Sequence, residues 1–114
     1  MSGNSVPEVE AEEGRRLVDG GAFLLDVREA DEWDAGHAPG ATWIPMGDLQ
    51  ARVGELPRDV TIVAICRAGS RSAAVTAALI GAGYDAVNLG GGMRAWASED
   101  LEVVASDGLP GAVI

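Results

Sequence analysis

Two short segments of this chain are apolar almost without interruption, and they constrain its fold more than any other feature. Residues 22–27 read AFLLDV and residues 60–65 read VTIVAI, so that Asp26 is their only charged side chain. A strand that is apolar on both faces suits a parallel sheet covered by helices on each side, because neither face then meets water. Shorter strands are predicted at 8–10, 42–44 and 86–89.

Helix-like segments separate these strands. The clearest covers 71–82, which is rich in alanine, places Val75 and Leu79 on one face and ends in a glycine-containing stretch typical of a helix C-terminus. Because strands and helices alternate along most of the chain, we predict a three-layer α/β domain with a mostly parallel sheet. The other helices are predicted at 11–19, 29–35, 47–54 and 92–98.

The length of 114 residues fits a single domain, which we expect over 8–105. Residues 1–7 are expected to form an N-terminal extension and residues 106–114 a C-terminal tail. No apolar run approaches the ~20 residues that a membrane-spanning helix requires. The polar, acidic N-terminal sequence also lacks the pattern of a secretion signal. We therefore expect a cytoplasmic protein with no membrane partner.

The charge balance excludes several classes of function. Eighteen acidic residues outnumber eight basic ones, giving a net charge of −10, and every basic residue is an arginine. The absence of lysine excludes Schiff-base chemistry and a Walker-type phosphate loop, and the acidity argues against a nucleic-acid partner. Cys66 is the only cysteine and His37 the only histidine, so a disulfide framework, a cysteine-based zinc site and multi-histidine metal sites are excluded. Nothing in the sequence indicates a metal or an organic cofactor.

The most informative stretch joins the second apolar strand to the clearest helix. It reads CRAGSR at 66–71 and lies at the carboxyl end of a parallel strand, where ligands usually bind. The helix N-terminus presents unpaired N–H groups, and Gly69 allows successive N–H groups to converge on an anion. Arg67 and Arg71 add two positive charges. Because such surroundings lower the pKa of a thiol, we expect Cys66 to be a nucleophilic thiolate at neutral pH. The alternative is an inert, buried cysteine at a strand end.

Four motifs follow one another in the chain: LLDVRE at 24–29 with Glu32 and Trp33, GHAPGA at 36–41 before Ile44-Pro45, CRAGSR at 66–71, and LGGGMRAW at 89–96. In this order and at these separations they resemble single-domain members of the rhodanese family over most of the chain. The resemblance implies a five-stranded parallel sheet between helices, and a persulfide formed on Cys66 during turnover. It assigns the segment around His37 to packing, whereas the residue types alone leave a Cys/His hydrolase pair open.

The chemistry of a sulfurtransferase suits the residues of this loop. Such an enzyme takes a sulfane sulfur from a donor such as thiosulfate, holds it as a persulfide and releases it to a nucleophilic acceptor. The first step needs a thiolate, and the intermediate needs hydrogen-bond donors around its terminal anion. We expect the donors to be the backbone amides of the persulfide cradle, which is formed by Arg67, Ala68, Gly69, Ser70 and Arg71.

Within this cradle we expect Arg67 to steer an anionic donor to the mouth of the loop, or else to be a plain surface charge. Arg71 is expected to brace the loop. Because Cys66 has no second cysteine to resolve its persulfide, the acceptor has to be external, as cyanide, a small thiol or a protein thiol. The resemblance also extends to phosphatases and arsenate reductases that share this fold, whose loop is one residue longer. The shorter loop here is expected to be too tight for a tetrahedral phosphate.

Other residues are expected to support the site. Asp26 and Arg28 end the first apolar strand at the same sheet edge as Cys66. Asp26 is expected either to pair with Arg71 and orient the loop or to cap the following helix. The glycines at 90–92 are expected to allow close backbone approach to the loop. Trp96 is expected to lie in the core.

Two alternatives to an enzyme remain at this point. The chain is also interpretable as a persulfide carrier or protein-docking module without free turnover, because the same cradle serves both roles. A purely structural module is the third interpretation, although such modules are expected to lack the nucleophile that this chain keeps.

Overall fold

Across residues 6–114, which the computed structural model describes, five strands alternate with five α-helices as the sequence predicted. The strands are β1 (Glu8–Val9), β2 (Phe23–Asp26), β3 (Thr42–Trp43), β4 (Ile62–Ile65) and β5 (Ala86–Leu89). The helices are α1 (Ala11–Asp19), α2 (Ala30–Ala35), α3 (Leu49–Arg52), α4 (Ser70–Gly81) and α5 (Gly92–Ser98).

The strands form one sheet in the order β1-β5-β4-β2-β3, and every pair is parallel. The two apolar segments became its central strands, and all four residues of β4 are buried. In the register of β2 with β4, Asp26 lies beside Ile65, so both strands end at the same edge. Cys66 follows Ile65 directly and therefore sits at the carboxyl edge of the sheet. The predicted fold class and the parallel sheet are confirmed.

Each face of the sheet carries its own apolar core. Along β4, Ile62 and Ala64 join a cluster that includes Val75 of α4, whereas Val63 and Ile65 join a second cluster. The second cluster contains the buried Met93 and Trp96 of α5, so the expectation for Trp96 was correct. Alternate side chains of a strand point to opposite faces, which places helices on both sides of the sheet.

The main departure from the predicted elements lies at 47–54. Instead of one helix, this stretch forms the single α-helical turn α3 between two 3₁₀ turns, Met46–Asp48 and Val53–Glu55. Gly47 and Gly54 explain the interruption, because glycine costs a helix about 1 kcal/mol relative to alanine. Short 3₁₀ turns are common where such a helix cannot extend.

The C-terminal segment, expected to be a tail, packs against the domain. His37 and Val104 form an isolated antiparallel bridge, and Ala112 N–H donates to the carbonyl of Ala35 at 2.9 Å. Val113 packs on the α5 side of the core. Most of the expected N-terminal extension, residues 1–5, lies outside the described residues. Within residues 6–114, no helix has the length and apolar character to cross a membrane.

Candidate active site

The loop between β4 and α4 wraps around the thiol of Cys66. Gly69 is the N-cap of α4 and has a φ of 110°, in the left-handed region that favours glycine. This conformation turns the Gly69 N–H toward the thiol, to which it donates at 3.1 Å. The Ser72 hydroxyl, in the first turn of α4, donates to the same sulfur at 3.2 Å. The sulfur is therefore surrounded by donors that stabilise a negative charge.

Opposing influences set the pKa of the Cys66 thiol. Burial raises this pKa, because the side chain is only 1% exposed and a thiolate loses hydration there. Hydrogen bonds from the Ser72 hydroxyl and from the backbone N–H groups of Ser72, Gly69 and Ala68 lower it and outweigh burial. The net pKa is lowered. Cys66 is thus buried, but its surroundings are polar rather than hydrocarbon on the loop side.

Arg71 is held by a carboxylate from another helix. Its guanidinium makes a two-pronged ion pair with Glu32 of α2, at 2.8 and 2.9 Å. This pairing lowers the pKa of Glu32 to about 2 against the opposing effect of burial, with further help from the backbone N–H of Glu29. The same contact raises the pKa of Arg71, to which the charge of Cys66 also contributes. Glu32 therefore fixes the start of α4 relative to α2.

Asp26 contacts neither of its expected partners. Its carboxylate pairs with Arg28, whose Nε and Nη2 donate at 2.8–3.1 Å, and both side chains are 0% exposed. The prediction that Asp26 pairs with Arg71 was wrong, because Glu32 occupies Arg71 instead. The capping alternative was also wrong, since Glu29 is the N-cap of α2. The buried pair lies at the sheet edge and also holds the Gly36 carbonyl through Arg28 Nη2, at 2.8 Å.

Arg67, the other arginine of the cradle, contacts the last residue of the chain. Arg67 Nε donates to the backbone oxygen of Ile114 at 2.7 Å. The Arg67 carbonyl accepts the N–H of Arg94 at 3.0 Å, and the Cys66 carbonyl accepts the N–H of Met93 at 2.7 Å. The first turn of α5 is therefore fastened to the start of the loop.

Glycine allows this close fastening. A Cβ at Gly92 would collide with the carbonyl oxygen of Cys66, so the expected close approach of the glycine segment to the loop is confirmed. The buried Asn88 of β5 also contacts the loop, donating to the Gly69 carbonyl at 3.1 Å. The two contacts hold the backbone on either side of the Ala68 and Gly69 N–H groups that face the thiol.

His37 lies in a packing arrangement. Its ring stacks on Trp33 with centroids 3.5 Å apart, and its Nδ1 contacts the Trp33 carbonyl at 2.8 Å. The backbone of His37 pairs with Val104. These contacts match the structural role that the resemblance implied for His37.

Two surface grooves have contrasting linings. A groove of about 400 Å³ between α3 and α4 is lined almost wholly by apolar side chains such as Leu49 and Leu79, and Cys66 is not part of it. A second groove of about 390 Å³ adjoins the loop and is lined by Ala68, Gly91, Arg94, Ala95 and Ser98. Within residues 6–114, no cluster of acidic, histidine or cysteine side chains is arranged to hold a metal ion.

Sequence reasoning missed three residues that shape this site: Ser72, Glu32 and Asn88. Ser72 lay directly beyond the loop, one position past Arg71, where a helix first turn brings a side chain back over the cysteine. Glu32 was noticed only as part of a motif. Asn88 carried a weaker signal, as the one polar residue within the strand at 86–89.

Replacing Ser72 with alanine should raise the pKa of the Cys66 thiol, because the thiolate loses one of its donors. We expect alkylation of Cys66 by iodoacetamide at pH 7 to slow by roughly tenfold, the effect of losing one hydrogen bond to a charged group. The midpoint of the pH–rate profile should move to higher pH. Ser106→Ala, which removes a hydroxyl bonded to Asp34 on the surface, is the control and should leave the profile unchanged. An unchanged midpoint in Ser72→Ala would contradict the role of this hydroxyl.

Comparisons with known proteins agree with the fold and with the family resemblance. A model of the rhodanese-like domain family matches residues 10–99. The chain is 39% identical over 106 residues to a sulfurtransferase of Allochromatium vinosum, a match that covers 90% of this chain and 99% of that protein. The crystal structure of a rhodanese-related protein of Thermoplasma volcanium has a TM-score of 0.81 and 31% identity, covering 86% of this chain and 97% of that one.

A thiosulfate sulfurtransferase of Pseudomonas aeruginosa is also similar in structure, with a TM-score of 0.80 and 28% identity. That match covers 96% of this chain but only 22% of the larger protein. The family model spans most of this chain, and the Allochromatium relative is matched over nearly its whole length. The chain therefore belongs to the rhodanese-like domain family.

Proposed function

We propose that this protein is a sulfurtransferase that carries a sulfane sulfur as a persulfide on Cys66. The observation that carries the proposal is the buried thiol, held between the Gly69 N–H and the Ser72 hydroxyl, with a lowered pKa. Similarity to a protein named as a sulfurtransferase supports sulfur transfer in general. We further propose that thiosulfate is the sulfur donor and that cyanide or a thiol is the acceptor.

In the first half-reaction the Cys66 thiolate attacks the sulfane sulfur of thiosulfate. The sulfur–sulfur bond of thiosulfate breaks, sulfite leaves with the bonding electron pair, and Cys66 becomes a persulfide anion. The charge is conserved, since three negative charges enter and three remain. The N–H groups of Ala68 and Gly69 and the Ser72 hydroxyl already face the sulfur, so they need little reorganisation to stabilise the new anion.

In the second half-reaction a nucleophile attacks the outer sulfur. The bond between the two sulfurs breaks, the acceptor gains one sulfur atom and the Cys66 thiolate is released. With cyanide as the acceptor the product is thiocyanate, and with a thiol it is the persulfide of that thiol. Because Cys66 is the only cysteine, no internal thiol competes for the outer sulfur. The proposal places the reaction in the cytoplasm, where small thiols are kept reduced.

The cradle arginines have different parts in this proposal. Arg71 is neutralised by Glu32, so it braces the loop and adds only a residual positive field near Cys66. Arg67 has no carboxylate side chain as partner within residues 6–114 and lies at the start of the loop. We assign Arg67 to attracting the anionic donor, which requires its guanidinium to exchange the Ile114 oxygen for the donor.

Mass spectrometry of the intact protein tests the proposed intermediate. After exposure to thiosulfate and removal of excess donor, we expect one adduct of about 32 Da, the mass of one sulfur atom, mapped to the peptide containing Cys66. The adduct should disappear on addition of cyanide with formation of thiocyanate. A protein that stays unmodified with thiosulfate and with a small-molecule persulfide donor would contradict the proposal.

Turnover separates an enzyme from a carrier that docks on another protein. Many equivalents of thiocyanate or of small-thiol persulfide per protein would identify an enzyme. A single equivalent, with no further product in excess donor and acceptor, would instead identify a persulfide carrier.

A further inference from the structure

The eight arginines of this protein differ in their partners. Most contact a carboxylate side chain: Arg15, Arg16, Arg28, Arg52 and Arg71. Arg58 lies over the ring of Tyr84 at 4.0 Å. Arg67 also lacks a carboxylate side chain as partner and donates to the backbone oxygen of Ile114. Arg94 differs from all of these, because within residues 6–114 its guanidinium has neither a hydrogen bond nor an ion pair. In a chain of net charge −10, an exposed cation left without an acid creates a local positive potential that attracts anions.

Arg94 stands next to the candidate active site. Its backbone N–H donates to the Arg67 carbonyl at 3.0 Å, which fixes this part of α5 against the residue after Cys66. Arg94 also lines the groove of about 390 Å³ beside the loop, here named the Arg94 groove, together with Ala68, Gly91, Ala95 and Ser98. Cys66 itself does not line the groove, but Ala68 does, and the Ala68 N–H is one of the donors that lower the pKa of Cys66.

The size and lining of the groove indicate what it binds. Its volume of about 390 Å³ lies within the range of about 300–1,000 Å³ that is usual for small organic ligands. A thiosulfate ion, with five heavy atoms, would leave most of this space empty. The small side chains of Ala68 and Ala95 offer apolar contact, while the guanidinium of Arg94 matches a carboxylate in shape and charge. The Ser98 hydroxyl donates to the Ala95 carbonyl at 2.9 Å, so toward a ligand it can act only as an acceptor.

We propose that the Arg94 groove binds the acceptor of the reaction, a small organic thiol that carries a carboxylate. This inference rests on the proposed function. Arg94 would hold the carboxylate while the thiolate of the same molecule attacks the outer sulfur of the Cys66 persulfide. The sulfur–sulfur bond to Cys66 breaks, the acceptor leaves as its persulfide anion, and the thiolate of Cys66 is restored. Two negative charges lie on sulfur before and after the step, and the charge of the carboxylate does not change. Arg94 takes part only by binding.

The transfer step tests this proposal with two matched acceptors, glutathione and its diethyl ester, which differ in their carboxylates. Cys66 is first loaded with thiosulfate, excess donor is removed, and the rate of sulfur loss is measured with each thiol. Arg94→Ala should lower the ratio of the glutathione rate to the ester rate about tenfold, the effect of losing a charged hydrogen-bonded pair. Arg94→Lys should recover part of the ratio. Arg15→Ala, on the exposed face of α1, removes an equal charge elsewhere and should leave the ratio unchanged.

Binding provides a second readout that needs no persulfide. S-methylglutathione, which keeps both carboxylates but lacks the thiol, should bind the reduced protein and lose affinity about tenfold in Arg94→Ala. If the protein forms no persulfide yet binds this probe through Arg94, the proposed function is contradicted, but binding of a carboxylate-bearing molecule in the Arg94 groove is still supported. An acceptor ratio and an affinity that are both unchanged in Arg94→Ala would overturn the groove assignment while leaving the persulfide mechanism intact.

Discussion

Cys66→Ser is expected to abolish the sulfur adduct and to lower kcat/KM with thiosulfate and cyanide by at least about 10³-fold. The hydroxyl of serine does not ionise near neutral pH. Among residues 6–114, the groups that hydrogen-bond to the sulfur that it would replace are backbone N–H groups and the Ser72 hydroxyl, none of which is a general base. His37, the only histidine, is stacked on Trp33 and contacts the Trp33 carbonyl. The N–H of Gly69 and the hydroxyl of Ser72 stabilise an anion once it exists, but they cannot remove a proton from serine.

The serine variant should fold like the parent protein, which makes its loss of activity interpretable. Serine is slightly smaller than cysteine, and its oxygen accepts the same two hydrogen bonds, so we expect the free energy of unfolding to change by less than about 1 kcal/mol. Circular dichroism and denaturant unfolding check this. Substantial thiocyanate production by a folded Cys66→Ser protein would remove the thiol from the mechanism.

The fold could be predicted because the physical cause of its sheet is local. An apolar strand such as β4 has to be covered on both faces wherever it lies, and the glycine and alanine pattern of α4 marks a helix without reference to distant residues. The short edge strands were also located, although β1 and β3 have only two residues each. The stretch at 47–54 was harder, because the strong helix formers at 49–52 lie between Gly47 and Gly54, which oppose a helix.

The site was predictable only where its geometry depends on neighbouring residues. Gly69 and the N-terminus of α4 follow Cys66 directly, so convergence of their N–H groups on the thiol was foreseeable. Ion-pair partners depend on how distant segments pack. The sequence offered Asp26 as the acid for Arg71, since both were expected at one sheet edge, but it did not show how α2 packs beside α4. Glu32 reaches Arg71 from 39 positions away along the chain.

Asp26 and Glu32 hold their arginine partners in different parts of the structure. Asp26 is buried inside the domain and pairs with Arg28, which in turn donates to the Gly36 carbonyl. These contacts join the end of β2 to Gly36. Glu32 lies nearer the surface and pairs with Arg71, which is partly exposed. The hydrogen-bond donors that contact the thiol are therefore neutral groups, such as the Ser72 hydroxyl. The low pKa of the thiol therefore depends on peptide dipoles and hydroxyls more than on a bare cation.

Replacing Asp26 with leucine should destabilise the protein strongly. The Arg28 guanidinium is 0% exposed, so the substitution leaves a buried charge without its counter-ion. Removing one partner of such a pair costs about 3–5 kcal/mol, a large part of the 5–15 kcal/mol by which a domain is usually stable. Urea unfolding followed by circular dichroism measures the change. Asp19→Ala, which breaks the exposed pair with Arg15, is the matched control and should cost less than about 1 kcal/mol.

A double variant separates the lost attraction from the orphaned charge. In Asp26→Leu with Arg28→Leu the buried charge is gone, and replacing both members of a buried pair with apolar side chains is often close to neutral. We expect the double variant to be more stable than Asp26→Leu alone, although it also loses the hydrogen bond to Gly36. If the double variant is as unstable as the single one, the contribution of Asp26 comes from packing rather than from charge. If Asp26→Leu costs no more than Asp19→Ala, the pair does not stabilise the sheet edge beneath Cys66.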